Sequence, residues 1–168
     1  HTDVLEKAIA DLEEAIAKKQ ELEARAEKMK AVIADFNVAL TDANAQMLEG
    51  TLTAKTAELA VQYLQMLPKK EGGNKKADME YYIKYKKSKI ERYEVKEVDP
   101  VTMTAIVTCH PVVPKKIKKG EEPPEPKDKT LKFTMENGNM LLDMADKYQE
   151  KIAQMEEAKA SKGKKGGK

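Results

Sequence analysis

The chain has 168 residues, of which 36% are charged and only 5% aromatic, with two phenylalanines and no tryptophan. A compact core of this size usually contains more large apolar side chains, so the composition favours a small globular unit with a long helical extension. The formal net charge is +2, but residues 1–49 contain 11 acidic and 6 basic residues, whereas residues 50–136 contain 13 and 18. The first third is therefore acidic and the middle is basic.

Cysteine content and hydropathy limit the class of protein. Cys109 is the single cysteine, so an internal disulfide and a multi-cysteine zinc site are both excluded. No apolar run approaches the roughly 18–20 residues needed to span a bilayer, and the first residues lack the basic and apolar parts of a signal peptide. We expect a soluble intracellular protein, cytoplasmic or nuclear, with no membrane span.

A heptad pattern runs through the first third of the chain. Apolar residues recur at alternating steps of three and four over about six heptads, which predicts one long helix over residues 1–50. Several seam positions are alanine, which favours a helical bundle over an isolated two-stranded coiled coil. The predicted interface with other helices, from a second copy or another subunit, consists of Leu5, Leu12, Leu22, Met29, Ile33, Phe36, Leu40 and Met47.

Residues 51–68 predict a second helix, which begins at Thr51 or Thr53 and is stopped by Pro68. Residues 69–136 then predict a basic linker and a small β-sheet. The linker sequence "KKEGGNKK" is typical of a flexible loop because glycine and lysine dominate it.

Four segments predict an antiparallel sheet of three or four strands. Apolar residues alternate with polar ones from Met79 to Tyr85, which is the period of a strand. "KIERYEVKEV" and "VTMTAIVTC" predict a hairpin around Asp99–Pro100. "KTLKFTM" predicts a further strand that ends at Asn137–Gly138.

Five of the seven prolines lie between Pro111 and Pro126, inside the predicted sheet. Proline excludes helix and ladder pairing, so residues 110–129 predict a long connection between two strands. Two readings stay open for it, a solvated loop or a loop that binds a partner. Residues 137–160 predict a C-terminal helix that packs back on the fold, and the glycine- and lysine-rich residues 161–168 predict a disordered basic tail.

The sequence contains no pattern typical of catalysis or of metal or cofactor binding. The two histidines, His1 and His110, stand in no spacing that forms a nucleophile–base pair or a metal site. The acidic residues lie mostly on helix faces near lysines, where solvated ion pairs explain them. We therefore expect a protein that is not an enzyme and has no cofactor.

Nucleic-acid binding is the main alternative function. In "MEYYIKYKKSK", aromatic residues alternate with lysines, which suits stacking on bases and neutralising phosphates. The candidate contacts are Lys84, Lys86, Lys87 and Tyr82. The competing interpretation is an ordinary half-buried strand whose lysines face water.

The predicted fold class is α+β: a long heptad helix and a second helix, a small antiparallel meander, and a C-terminal helix. The order of helix, meander and helix resembles the prefoldin plan, which implies paired terminal helices and a holdase chaperone function. A helix, three strands, the element "HPVVP" and a closing helix resemble RWD-type domains. The function we predict is a non-catalytic structural or adaptor subunit that assembles through its helices and presents the sheet to partners.

Overall fold

The computed structural model describes the backbone of residues 2–166 and the side chains of residues 2–162. Within these residues the helices are α1 (Thr2–Asp42), α2 (Ala45–Glu49), α3 (Ala54–Met66), α4 (Met79–Lys89) and α5 (Ala145–Gly166), with a 3-10 turn at Lys69–Glu71. The strands are β1 (Ile90–Asp99), β2 (Thr104–Pro111), β3 (Lys127–Glu136) and β4 (Asn139–Asp143). The α+β class predicted from the sequence is confirmed.

The four strands form an antiparallel meander in the order β1-β2-β3-β4. The predicted hairpin around Asp99–Pro100 is confirmed, since β1 pairs with β2 from Asp99 opposite Thr104 onwards. The predicted end of a strand at Asn137–Gly138 is confirmed, since β3 ends at Glu136, and these two residues turn the chain into β4. Both residues have positive φ, 51° and 79°, which is the backbone of a two-residue hairpin turn and suits an Asn-Gly pair.

One face of the sheet is covered by the second half of α1. Phe36 is fully buried there, and its ring stacks on Tyr93 of β1 with centroids 5.2 Å apart. Inward-facing side chains of the strands, among them Val107 and Phe133, complete the same core. The opposite face carries mainly polar and charged side chains, as expected for an antiparallel sheet with one solvated face.

Two hydrogen bonds join α1 to the outermost strand. The Asn37 Nδ2 amide donates to the Tyr93 carbonyl at 2.8 Å, and the Tyr93 backbone N–H donates to Asn37 Oδ1 at 2.9 Å. A register shift in β1 lies between Ile90 and Arg92, next to this contact. The Asn37 amide therefore bonds to the backbone of Tyr93 as a neighbouring strand would, and it fixes the position of α1 along β1.

The strand predicted from Met79 to Tyr85 is wrong, because these residues form α4. Asp78 caps the helix, its side chain accepting the Tyr81 N–H at 2.9 Å. The buried residues are adjacent, Tyr82 and Ile83, so the core contacts follow a helical face rather than every second residue. The alternation of apolar and polar residues led to the wrong prediction because tyrosine and isoleucine favour strands. Packing on neighbouring helices determines the structure of this segment instead.

The single helix predicted over residues 1–50 is also divided. The α1 helix ends at Asp42, Ala43 has a φ of 51°, and the Asn44 side chain starts α2 by accepting the Met47 N–H at 3.0 Å. Asn44 interrupts the heptad pattern because asparagine prefers a helix cap to a helix interior.

Helix α5 packs chiefly on α3, not on α1. Thr56 Oγ1, fully buried, accepts the Met144 N–H at 2.9 Å and so ties the start of α5 to the start of α3. The terminal helices are therefore not paired as the prefoldin resemblance implies. The helix predicted for residues 137–160 begins at Ala145, because the residues before it form β4.

The predicted flexible linker is ordered by close packing. The Asn74 N–H donates to the Leu64 carbonyl at 2.9 Å, and the Gly73 N–H donates to the Pro68 carbonyl at 3.0 Å. Gly73 is required here, since a Cβ at this position would come within 1.6 Å of the Leu67 carbonyl oxygen.

The long connection predicted between two strands is confirmed, and it joins β2 to β3. Residues 112–126 are irregular and exposed throughout. In the predicted disordered tail, α5 instead continues as far as Gly166, and residues 167 and 168 lie outside the described residues.

Replacing Asn37 with alanine tests how α1 is fixed to the sheet. The substitution leaves the Tyr93 N–H and carbonyl without their partners, so we expect the free energy of unfolding to fall by about 1–3 kcal/mol. Asp35→Ala on the same helix is the control, because Asp35 is exposed and its removal should change stability by less than about 0.5 kcal/mol. Urea denaturation measures both. Equal effects would contradict the role of Asn37.

Candidate functional site

The first half of α1 extends beyond the sheet as an isolated arm, residues 2–21, in which every residue is exposed. The last anchor of α1 before the arm is Arg25, whose Nη1 donates to the Pro100 carbonyl at 2.9 Å. The arm is about 30 Å long at 1.5 Å per residue. Its large apolar side chains stand in water: Val4 73%, Leu5 64%, Ile9 56%, Leu12 62% and Ile16 48% exposed.

The apolar stripe of the arm points in a different direction from the part of α1 that covers the sheet. At 100° per residue, Leu5, Ile9, Leu12 and Ile16 are centred about 120° around the helix axis from Met29, Ile33, Phe36 and Leu40. The arm therefore does not simply continue the core surface. A contiguous exposed apolar stripe of this kind is a candidate interaction surface.

The structure divides the predicted helix interface into two groups. Leu5 and Leu12 lie on the arm and are exposed, and Leu22 at its base is partly buried. Met29, Ile33, Phe36 and Leu40 are buried in the core of their own chain, and Met47 packs against that core. The four buried residues are therefore used within their own chain, whereas contact of the partly exposed Met47 with another chain stays a prediction. A heptad pattern does not distinguish a sheet from a partner helix.

Four lysines from three elements, which we call the lysine cluster, affect one another electrostatically: Lys86 of α4, Lys129 of β3, and Lys147 and Lys151 of α5. Two buried tyrosines, Tyr82 and Tyr148, lie between Lys86 and Lys151. Lys86 Nζ lies 5.9 Å from the Tyr82 ring centre and Lys151 Nζ lies 5.9 Å from the Tyr148 ring centre, and the two hydroxyls share a 2.6 Å hydrogen bond.

Lys129 enters the cluster because of its position in the sheet. It pairs with Val107, which is fully buried, so Lys129 occupies a strand position on the covered face. Lys147 lines the same cavity of about 430 Å³ as Lys129, between the sheet and the start of α5. The strand register places this cavity towards the end of the sheet where residues 112–126 connect β2 to β3.

Desolvation lowers the pKa of three of these lysines, of which Lys86 and Lys151 are partly buried and Lys147 is exposed. Desolvation, and secondly the positive charge of Lys129, lower the pKa of Lys86 to about 8. The pKa of Lys147 is lowered to about 8 by the same two causes and by its other lysine neighbours, and desolvation also lowers the pKa of Lys151. Among the described residues, none of the four lysines has a carboxylate within 4.0 Å.

The residues predicted to contact nucleic acid are not brought together. Tyr82 is 1% exposed and hydrogen-bonded in the core, so its ring offers no face to a base. Lys84 is exposed, Lys87 Nζ donates to the Thr41 carbonyl at 3.2 Å, and only Lys86 joins the lysine cluster. On α4, Lys84 and Lys87 occupy neighbouring positions of one face, whereas a strand would have aligned Tyr82, Lys84 and Lys86.

The solvated face of the sheet brings together polar residues that the sequence did not connect. His110 Nε2 lies 2.8 Å from Glu94 Oε1 across the β1–β2 pair, and this hydrogen bond lowers the pKa of Glu94. In the described residues there is no group of three His, Cys, Asp or Glu side chains arranged to hold a metal. Nor does any helix of the described chain have the length and apolar character to cross a membrane.

Comparison with known proteins gives no relative: no family model, no curated protein and no solved structure matches the chain.

The lysine cluster predicts how stability changes with pH. Lysine has a pKa near 10.4 in the unfolded chain, whereas Lys86 and Lys147 have values of about 8 in the fold. Between these values the unfolded state binds more protons, so the free energy of unfolding should rise from pH 7.5 to pH 9. Lys86→Met should reduce this rise, and Lys84→Met should not, because Lys84 is exposed. Urea denaturation at the two pH values measures it, and a flat or falling profile in the unsubstituted protein would contradict the interpretation.

Proposed function

We propose that the protein is a non-catalytic structural subunit that assembles through its arm and presents the sheet, with the lysine cluster, at the far end. The observation that carries this proposal is the row of five exposed large apolar side chains between Val4 and Ile16. Burial of such side chains contributes about 1.5–3 kcal/mol each relative to exposure. A projecting helix with this surface is stabilised by contact with other helices.

The width of the stripe favours more than two helices. On a helical projection the apolar side chains extend from Val4 to Ile9 over about 140°, wider than the roughly 100° stripe of a helix that packs on one surface. A two-helix pair would leave part of this stripe in water. We therefore infer a bundle of at least three arms from copies of this chain.

Charges at the borders of the stripe favour parallel arms. Glu6 and Glu13 border one edge, and Asp11 and Lys18, whose charges cancel, border the other. In an antiparallel arrangement like edges meet, so the glutamates would face each other. In a parallel ring each acidic edge meets the mixed edge of the next arm, which avoids this repulsion.

The geometry of one chain suits presentation. The arm leaves the sheet at the end that carries the β1–β2 turn, as the contact between Arg25 and Pro100 indicates. Lys127 and Lys129 lie towards the opposite end, because Lys127 pairs with Cys109 while Lys132 pairs with Thr104 near that turn. In a parallel bundle the lysine clusters of all chains would lie at the end of the assembly opposite the bundled arms.

The proposal predicts the mass of the protein in solution. Sedimentation equilibrium at micromolar concentrations should give a trimer or larger assembly. Ile9→Glu combined with Ile16→Glu places two unpaired carboxylates per chain in the bundle, which should weaken association by roughly 100-fold or more. The measured mass of this variant should then be that of a monomer.

Ala10→Glu combined with Ala17→Glu is the matched control. It adds the same charge to the same helix, on the side away from the stripe, and should keep the mass of the unsubstituted protein. Far-ultraviolet circular dichroism should show an unchanged fold in both variants, because all four positions are exposed. A monomeric unsubstituted protein, or a dimer, would overturn the proposed bundle.

Cysteine cross-linking tests the orientation of the arms. Thr2→Cys places a thiol near the tip of the arm, and the native Cys109 is buried and shielded from oxidants. Parallel arms bring these thiols together, so mild oxidation should give disulfide-linked pairs on a non-reducing gel. Antiparallel arms would keep them about 30 Å apart and give no linked pairs.

A further inference from the structure

We propose that residues 112–119, the first half of the connection between β2 and β3, bind a groove beside α3 on a second copy of this chain. The groove lies along α3, where the β3–β4 turn and the start of α4 border it. This contact goes beyond the assembly through the arms and does not depend on it, since neither surface includes a residue of the arm. One surface is apolar and basic, and the other is apolar and acidic.

Residues 112–119 contain large apolar side chains that lie outside the core. Val112 is 38%, Val113 57% and Ile117 42% exposed. A loop that only connects two strands is usually polar and small in its side chains. Three β-branched apolar residues within six positions are therefore a candidate contact surface.

The same segment contains four lysines without a counter-charge: Lys115, Lys116, Lys118 and Lys119. In the part of the chain that the structure describes, no carboxylate lies within 4.0 Å of any of them. The acidic residues of the connection follow only after a turn at Gly120, where φ is 92° and the Glu121 N–H donates to the Lys118 carbonyl at 3.0 Å. Residues 112–119 thus form one continuous basic and apolar segment.

The groove has a volume of about 860 Å³ and combines apolar with acidic side chains. Its apolar residues are buried or partly exposed: Leu52, Ala57, Val61, Met79 and Leu141. Its charged residues are Glu49, Glu58 and Glu136, and no lysine or arginine of the described chain lines it. A segment that is both apolar and positively charged complements this surface.

The three carboxylates have weak partners in their own chain. Among the residues described, Glu49 has no basic side chain within 4.0 Å. Glu58 lies 3.9 Å from Lys55 in an exposed pair, which contributes little energy. Glu136 accepts the Ala54 N–H at the long distance of 3.4 Å. These carboxylates can therefore attract a basic ligand.

Charge distinguishes this groove from another one between α3 and α5. That groove is also partly apolar, but Lys151, Lys159 and Lys162 line it with one acidic residue, Glu71. A basic segment would be repelled there, so the groove beside α3 is the one that fits.

The dimensions of the two surfaces agree. The residues of α3 that line the groove extend from Ala54 to Gln65, which is about 17 Å at 1.5 Å per residue. An extended segment that contains proline advances about 3.1 Å per residue, so the six residues from Val112 to Ile117 cover about the same length. Pro114 restricts this segment before binding, which reduces the entropy lost on contact.

The connection of the same chain cannot reach the Glu136 end of the groove. Glu136 lies at the opposite end of β3 from Lys127, where the connection ends, and the 10 residues of β3 extend about 30 Å. Both ends of the connection are fixed at neighbouring strand ends, and half of residues 112–126 spans at most about 25 Å. The segment in the groove therefore comes from another copy.

Fluorescence anisotropy of a labelled peptide with the sequence of residues 111–120 tests the contact with the intact protein. At pH 7 and low ionic strength we expect saturable binding with a Kd on the order of 100 µM, since the interface is small. Glu49→Lys combined with Glu58→Lys should weaken binding at least tenfold, because two attractive charges become repulsive. Glu91→Lys combined with Glu97→Lys is the matched control. Both residues are exposed on β1 at the opposite edge of the sheet, so the Kd should change less than threefold.

Variants of the peptide separate the proposed contact from general attraction between charges. Val113→Ser combined with Ile117→Ser keeps all four lysines and removes two apolar side chains, and it should weaken binding at least tenfold. Lys116→Glu combined with Lys118→Glu should abolish binding. Equal affinity of the serine peptide would contradict the role of the apolar residues.

Sedimentation velocity of the intact protein gives a second readout. At concentrations several times the measured Kd, species larger than those at micromolar concentration should appear. Lys116→Glu combined with Lys118→Glu in the full chain should remove them and leave the micromolar mass unchanged, whereas failure of the arms to associate would lower the micromolar mass itself. The proposal is overturned if the peptide shows no saturable binding up to millimolar protein, if the control on β1 loses as much affinity as the groove variant, or if the peptide binds vesicles of anionic phospholipid but not the protein.

Discussion

The fold depends on burial of one face of a four-stranded sheet beneath a single helix. Each of the longest strands has 10 residues, or about 33 Å, whereas α1 has 41 residues, or about 60 Å. Phe36 and Asn37 fix the second half of α1 on β1 through a ring stack and two backbone hydrogen bonds. Because the helix is anchored at that point and is much longer than the sheet, its first half must extend into solvent.

The same constraint explains the lysine cluster. The apolar residues of β3 on the covered face are Leu131 and Phe133, while the two preceding positions on that face are Lys127 and Lys129. Helices α4 and α5 approach this end of the sheet, joined by the hydrogen bond between Tyr82 and Tyr148. Lys129 therefore lies near Lys86 and Lys147, whose pKa values are lowered first by their own desolvation and secondly by the positive charge of Lys129.

Much of this architecture could be predicted from the sequence because it depends on local patterns. The heptad spacing gave α1, Thr53 and Pro68 delimited α3, and alternation in β-branched residues gave three of the strands. Alternation failed at residues 79–89, where β-favouring tyrosines lie on a helix. The predicted strand end at Asn137–Gly138 is correct, but residues 139–143 form β4 and not the start of the last helix, although Asn-Gly is a hairpin signal. Asp78 before "MEYY" was the one local signal for a helix start.

The candidate sites depend on tertiary contacts and were less accessible from sequence. Leu5 and Phe36 both lie on the heptad seam, and only the folded structure shows that Leu5 is exposed and Phe36 is buried. No spacing connects Lys86, Lys129 and Lys147, since 61 positions of the numbering separate the first from the last. The presence of Lys127 and Lys129 at inward positions of β3 was the available signal, and it required knowing which face of the strand is covered.

The rotation of the apolar stripe along α1 separates the surface that contacts the sheet from the surface that we propose contacts other arms. If the apolar stripe of the arm were in line with the stripe that contains Met29 and Phe36, the surface that binds the sheet would merge with the proposed surface for other arms. The sheets of neighbouring chains would then lie too close to the bundle of arms. A rotation of about 120° directs the arm's apolar side chains away from the sheet's own side of the helix. In the proposed assembly, folding of the sheet against α1 and association of the arms then depend on different residues of one helix. Residues 29–40 contribute to the stability of the monomer, whereas the exposed residues of the arm contribute free energy only when a partner is present.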